Sequence, residues 1–479
     1  MSSAADSGPR LEKALKPWNL LMIVLGYMSP AVTAFVYVPI MFGIYGGFSW
    51  LAMAIGAVVM LPIYLVYAEL GSAWPLAGGE YSIVGRALNK GAAFVLFVLV
   101  MAMLVATAPI TGLGAGMAAQ AVWSGANPEL VAVAVIALGI VLGLLNIRES
   151  AWVGTIALVV DIGLVAVVIV LGLVHGQWNE AGDRLFSTDV WGSDGSATSI
   201  TFKTAIAATG FAALNYAGFS CAVVFAEESE NARRHLGRIM MWVYAAYVGI
   251  LMVFTTAVFL AAPSLKETLT SATPLADFIG QLGGAWLNKV VNILLFLVIS
   301  QATMLFVVFV SRQLWSSGRD KAWPTPISHA LSWLHPRFKS PWIATVLFGA
   351  ITIPLVYVGV GDLVTILVIV LLISYVLMTV SAIAIRVRKN APDDRWKMPA
   401  WQFWVVLGLA AMVAVASQQS ATPLKIVGII AAAAAVYYVA YLLPRHRTHF
   451  RLDSESEPQT PPSGSEPAAP TGAEEPQTS

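Results

Sequence analysis

Between Ala205 and Arg238 the chain reads AIAATGFAALNYAGFSCAVVFAEESENARRHLGR, an apolar stretch of membrane length whose middle, Asn215 to Ser220, is made of small and polar residues. A helix in a bilayer must satisfy its backbone groups from within, so a weak point of this kind is tolerated only where the freed amides and carbonyls face a cavity or a ligand. The first apolar run, Trp18 to Gly46, carries the same defect. There Pro30 removes a backbone donor and disfavours helix at Ser29. Two interrupted membrane segments in corresponding places are the sequence pointer to the binding site of a secondary transporter built from inverted repeats.

Composition fits that class. The chain is 58% hydrophobic and 11% charged, where ordinary globular chains are about 25% charged, so a multi-pass membrane protein is expected. Its single cysteine, Cys221, excludes an internal disulfide. Runs of roughly 20 apolar residues place twelve spans near 17–43, 48–70, 91–119, 128–146, 150–175, 202–225, 238–262, 285–313, 341–359, 361–385, 401–418 and 423–443. On this count only Arg184, Lys203, Lys266, Lys289 and Lys425, of 27 basic residues, fall on the side opposite the tails. The positive-inside rule then puts both termini in the cytoplasm, and the plasma membrane is the expected location. The first run is too long for a signal-peptide core and is followed at once by more membrane.

Outside the spans little room remains for a soluble domain. Residues 1–16 are expected to form a cytoplasmic tail, 17–443 the membrane domain, and 444–479 a disordered tail, acidic and rich in Pro, Glu, Ser and Thr from Asp453 onward. The connection His175 to Ser199 reads as an outer loop, and Gly78 to Arg86 as a short helix on the inner surface. No Walker A sequence occurs, the six histidines have no metal spacing, and no Ser-His-Asp arrangement is placed for hydrolysis. No enzymatic activity, cofactor, structural metal or nucleic-acid partner is expected; the partners are a small-molecule substrate, a proton or sodium ion, and the lipid bilayer.

Asp161 is the most unusual single residue. It falls roughly 11 residues into span 5, about 17 Å along a helix that rises ~1.5 Å per residue, hence near the bilayer midplane. A carboxylate there costs at least about 2.5–3.5 kcal/mol on insertion scales and is a functional hypothesis by default. It serves either as a coupling group for a proton or cation, with carbonyls of Met28 and Ala31 and the side chain of Gln301 as partners, or as a protonated residue hydrogen-bonded to a neighbouring helix. Glu227-Glu228 beside Arg233-Arg234 reads as a solvated salt-bridge cluster or part of an inner gate.

Three stretches carry a family resemblance: Tyr67 to Tyr81 (YAELGSAWPLAGGEY); Gly218-Phe219-Ser220 with Ala226 to Arg234; and Ser311 to Leu314 with Arg319 to Pro324. Following spans 2, 6 and 8, they resemble the amino acid-polyamine-organocation (APC) superfamily of permeases over roughly residues 16–445. That resemblance implies an all-α, LeuT-type fold: two inverted five-helix repeats, about 17–175 and 202–388, with helices 1 and 6 broken and two further helices at about 401–443. It implies that Ser29, Pro30, Ala31, Val32, Thr33 and Ala34 line the substrate site, with Val32-Thr33-Ala34 where relatives cradle the substrate carboxylate on exposed amides, although the glycines usual in this break are missing. Asn215, Tyr216, Ala217, Gly218, Phe219 and Ser220 would line the opposite wall, without the acid that relatives often carry at Ser220. Phe306 falls where the family places an aromatic lid. Many relatives place a lysine where Asp161 stands.

The function expected is secondary active transport of a small amino acid or amino-acid-like solute by alternating access, proton-coupled or by exchange. An amine or polyamine without a carboxylate, with Asp161 as its counter-ion, is the alternative substrate. A non-transporting sensor or channel on the same scaffold is the alternative class.

Overall fold

In a computed structural model the described residues are 17–75, 79–145, 151–191, 196–226, 229, 231–271, 273–338, 340–389, 391–419, 421–445 and 449–450. The N-terminal tail, nearly all of the C-terminal tail, and Glu227-Glu228 lie outside them. The chain is helical apart from one small hairpin. Helices α1 (Pro17–Met28), α2 (Pro30–Val32) and α3 (Val38–Tyr45) form the first segment, with a π-helical turn at Thr33–Tyr37. Then come α4 (Ser49–Ala73), α5 (Gly79–Ala87), α6 (Lys90–Val122), α7 (Pro128–Leu144), α8 (Ala151–His175) and α9 (Ala181–Leu185). The hairpin β1 (Asp189–Trp191) and β2 (Ala197–Ser199) precedes the second broken segment, α10 (Phe202–Asn215) and α11 (Cys221–Phe225). The remainder is α12 (Ala232–Ala261), α13 (Leu265–Thr270), α14 (Pro274–Arg319), α15 (Thr325–Leu331), α16 (Trp342–Leu355), α17 (Val360–Arg388), α18 (Trp401–Ser417) and α19 (Ala421–Tyr437).

Among the described residues seven stretches are long and apolar enough to cross a membrane, one of them running from Trp18 through α4. Helices α7, α16 and α18 are shorter but equally apolar. This is a multi-pass, all-helical membrane protein.

Because lipid tails are as apolar as leucine, such helices associate by close packing rather than by hydrophobic burial, and small residues mark the contacts. A side chain added at Gly172 in α8 would come within 2.2 Å of Ala257 Cβ in α12, and one at Gly56 in α4 within 2.7 Å of Ala212 Cβ in α10. These contacts bring α8 onto α12 and α10 onto α4, the pairs that carry the site.

The long connection after α8 is more structured than its Gly, Asp and Ser content suggests. β1 and β2 pair antiparallel, Asp189 opposite Ser199, and the hairpin lies over the far end of the first segment. Gly46 there adopts φ 52°, and a Cβ on it would sit 2.8 Å from the Asp189 carbonyl oxygen. α14 likewise contains a kink at Gly284 (φ 81°, ψ 165°) that sets its first ten residues, Pro274 to Gly283, apart from the long remainder.

Candidate functional site

The first break is one residue wide. Ser29 sits at φ 42°, ψ 90°, and Pro30 then occupies the first position of the resumed helix, where its missing N–H has no cost. The Ser29 hydroxyl accepts from Val32 N at 3.2 Å and donates to Asp161 Oδ1 at 2.6 Å. Ala31 N also donates to Asp161 Oδ1, at 3.3 Å, and Thr33 N donates to the Ser29 carbonyl at 3.1 Å. The amides of Ala31, Val32 and Thr33 therefore all have acceptors inside the protein. Thr33 and Ala34 are buried, and Pro30 has no amide to offer.

Tyr247 of α12 spans the same break. Its hydroxyl donates to the Met28 carbonyl at 3.0 Å and lies 2.6 Å from Thr33 Oγ1. With its one proton committed to Met28, the phenol must accept from Thr33. One tyrosine thus ties the last carbonyl of the near half to the first hydroxyl of the far half.

The second break runs from Tyr216 to Ser220. Tyr216 N and Ala217 N fold back onto Ala213 and Leu214 carbonyls, and Gly218 takes φ 102°, a conformation that suits glycine. The Tyr216 carbonyl accepts from the Tyr64 hydroxyl at 2.9 Å, and the Tyr216 hydroxyl donates to the Met53 carbonyl at 3.1 Å. Asn215 Nδ2 contacts the sulfurs of Met41 and Met53, leaving its buried Oδ1 without a hydrogen-bond partner among the described residues. The two breaks touch: a Cβ at Gly218 would lie 3.2 Å from Met28 Cγ and 3.7 Å from Met28 Cα.

Phe219 is fully buried in a cage of tyrosines. Its ring stacks on Tyr64 at 3.8 Å between centroids, meets Tyr67 edge-on at 5.0 Å, and lies 6.1 Å from Tyr375 of α17. Behind this cage Glu80 of α5 accepts from the Tyr67 hydroxyl at 2.8 Å and from the Ser374 hydroxyl, and it also bonds with Ser220. Burial pushes the Glu80 carboxyl above its ordinary value, while these hydroxyl donors pull it back.

Nearby, Glu69 at the end of α4 is fully buried and faces two arginines. Its Oε2 takes Arg386 Nη2 at 2.5 Å and Met398 N at 3.2 Å; its Oε1 takes Arg395 Nε at 3.3 Å.

Asp161 is 3% exposed. Oδ1 has two donors, and Oδ2 has none among the described residues. Of its expected partners, Ala31 contributes its amide rather than its carbonyl, and the Met28 carbonyl is engaged by Tyr247. Gln301 is partly buried in α14. Phe306 packs in a separate cluster with Leu104, Leu113, Ile136 and Phe348 from α6, α7 and α16. One turn along, Phe309 brings its ring to 5.9 Å from Tyr27 in α1.

A cavity of about 220 Å³ lies on the far side of the first break. Phe35, Pro39 and Ile40 form one wall and α6 and α14 the others, with Ser271, Thr273 and Asn292 as polar points. None of the residues expected from sequence to bind substrate lines it. Nothing in the sequence marks Tyr247 or Tyr64 except a polar group in an apolar run, and Glu69 and Glu80 stand there only as members of the Tyr67 to Tyr81 motif.

Sequence and structure comparisons bear on this arrangement. The profile of a family described as amino acid permease matches residues 15–443. The serine/threonine exchanger SteT of Bacillus subtilis (strain 168) is 24% identical over 380 residues, which make up 76% of this chain and 80% of that protein. A manganese transporter of Eremococcus coleocola, crystallised with an aromatic bis-isothiourea substituted compound, shares the fold. It superposes with a TM-score of 0.54 at 14% identity, over 93% of this chain and 98% of that one.

Proposed function

We infer, because the chain belongs to the amino acid permease family, that this transporter moves a small amino acid or amino-acid-like solute across the plasma membrane by alternating access. The chain crosses the membrane twelve times with both termini in the cytoplasm, as two inverted five-helix repeats followed by two helices. The observation that carries this reading is the meeting of the two breaks, Met28 against Gly218, with a membrane-buried acid bound to one of them. Irregular backbone within a membrane persists only where it is buried in protein or lines a cavity, and here the two irregular turns are buried against each other. The likeness to a serine/threonine exchanger makes small neutral amino acids the first candidates.

A proton is the favoured coupling ion. A sodium ion needs several oxygens, whereas at Asp161 the Met28 carbonyl is taken by Tyr247 and Oδ1 already has two donors. Of the two Asp161 oxygens only Oδ2 has no donor among the described residues, and one oxygen is what a proton needs.

The test is uptake of labelled L-serine and L-threonine into proteoliposomes with an imposed pH gradient. Wild-type protein is expected to concentrate substrate when the outside is acidic and to lose that ability with a protonophore. Asp161→Asn keeps shape without charge and should still equilibrate substrate but no longer concentrate it. Sodium-dependent uptake at fixed pH would refute the proton assignment, and ligand binding without flux would favour a sensor on the same scaffold.

A further inference from the structure

We propose that Asp161 is a built-in occupant of the carboxylate seat in the first break, and that an amino acid takes that seat only by displacing it in exchange for a proton. The proposal rests on the amino-acid reading above and adds to it the means of coupling.

The seat is the start of the helical stretch that runs from Pro30 through the π-turn to Tyr45. A helix start offers unpaired donors and a positive dipole end, which together suit an anion. Here the available donors are the Ser29 hydroxyl and the Ala31 amide, and both point at Asp161 Oδ1. The protein's own carboxylate stands where a ligand carboxylate would be held. The second, independent observation is Asp161 Oδ2, buried and unpartnered among the described residues on a side chain only 3% exposed. An ionised carboxylate half-satisfied in this way is poised to take up a proton on its free oxygen.

Nothing charged from the surrounding helices competes for this role. On α12 the facing titratable group is Tyr247, already bonded to Met28 and Thr33. α14 has no ionisable side chain between Lys289 and Arg312, and α8 itself has none besides Asp161 and the terminal His175. Tyr27 of α1 turns its ring to Phe309.

Two carboxylates cannot share one small site with both ionised. A proton from the outer water settling on Oδ2 makes Asp161 a neutral, weaker acceptor, so Ser29 and Ala31 are released to the incoming α-carboxylate. On the inner side substrate leaves, the proton returns to water, and ionised Asp161 caps the break again. One substrate then travels with one proton.

The test is calorimetric titration of the purified full-length protein with L-serine and L-threonine, and with ethanolamine and 1-amino-2-propanol as carboxylate-free counterparts. Repeating each titration in two buffers of different ionisation heat counts the protons taken up. While Asp161 is ionised, wild-type protein should take up one proton per amino acid, with affinity rising about tenfold for each unit fall in pH. Whatever amino acid binding Asp161→Asn retains should show no proton uptake and no pH dependence. If that variant does not fold, the wild-type proton count decides alone. Amino acid binding without proton uptake would overturn the proposal and leave the amino-acid reading standing. Carboxylate-free amines that bind more tightly as pH rises, and need Asp161 to do so, would overturn both and make Asp161 their counter-ion. Binding of neither class would also overturn both.

Discussion

Glu69→Gln is expected to cost about 3–5 kcal/mol of stability, because it leaves two largely buried arginines without their counter-charge. Arg386 and Arg395 converge on Glu69 from the end of α17 and the segment that follows it, and Arg386 also lies over the Trp401 ring at 4.9 Å. The Met398 amide completes the set. A glutamine fills the space of the carboxylate but carries no charge, so the loss is electrostatic and does not come from a cavity. Thermal unfolding followed by size-exclusion fluorescence should show a large fall in apparent Tm and in the yield of monodisperse protein. The combined replacement Glu69→Met, Arg386→Leu, Arg395→Leu should be less damaging than Glu69→Gln alone, since a well-packed apolar set desolvates no ions. A Glu69→Gln variant as stable as wild type would show that the arginines find solvent or another partner.

Gly218→Leu should abolish transport, to below about 1% of wild-type uptake, with membrane insertion largely retained. A new side chain there is directed at Met28, 3.2 Å from Cγ, so the damage falls on the contact between the two breaks. The left-handed φ of 102° adds backbone strain of about 1–3 kcal/mol for any residue with a side chain. Gly218→Ala should therefore lower uptake without eliminating it. Uptake by the leucine variant at the wild-type rate, at equal surface expression, would remove this contact from the transport cycle.

What the sequence made legible was local. Pro30 announces the break at Ser29 because its effect on the preceding residue is covalent, and Asp161 stands out because a lone acid in an apolar run is costly wherever it points. Its target was not legible: Ser29 lies 132 positions away, and only packing of α8 on the first segment brings the two together. The resemblance places Phe306 over the substrate, and the spacing along α14 says nothing of its neighbours; in the structure it packs in the cluster of Leu104 and Ile136, while Phe309 one turn on meets Tyr27 of α1. Glu80 sat in plain view within the family motif, but its partners come from α4 and α17. The hairpin is not legible in the sequence because strands of three residues leave no periodicity to read.

Cys221 is the chain's sole cysteine, and it opens α11 two residues beyond Phe219 with 7% exposure. Its helix rests on α1, α4 and α5, so its sulfur is sheltered only while those contacts hold. Thiol alkylation requires access, which makes the rate of labelling by a membrane-impermeant maleimide a stopwatch for departures of α11 from its neighbours. The natural chain is thus already a single-site reporter, with no competing thiol to remove and no mutation needed to read its motion.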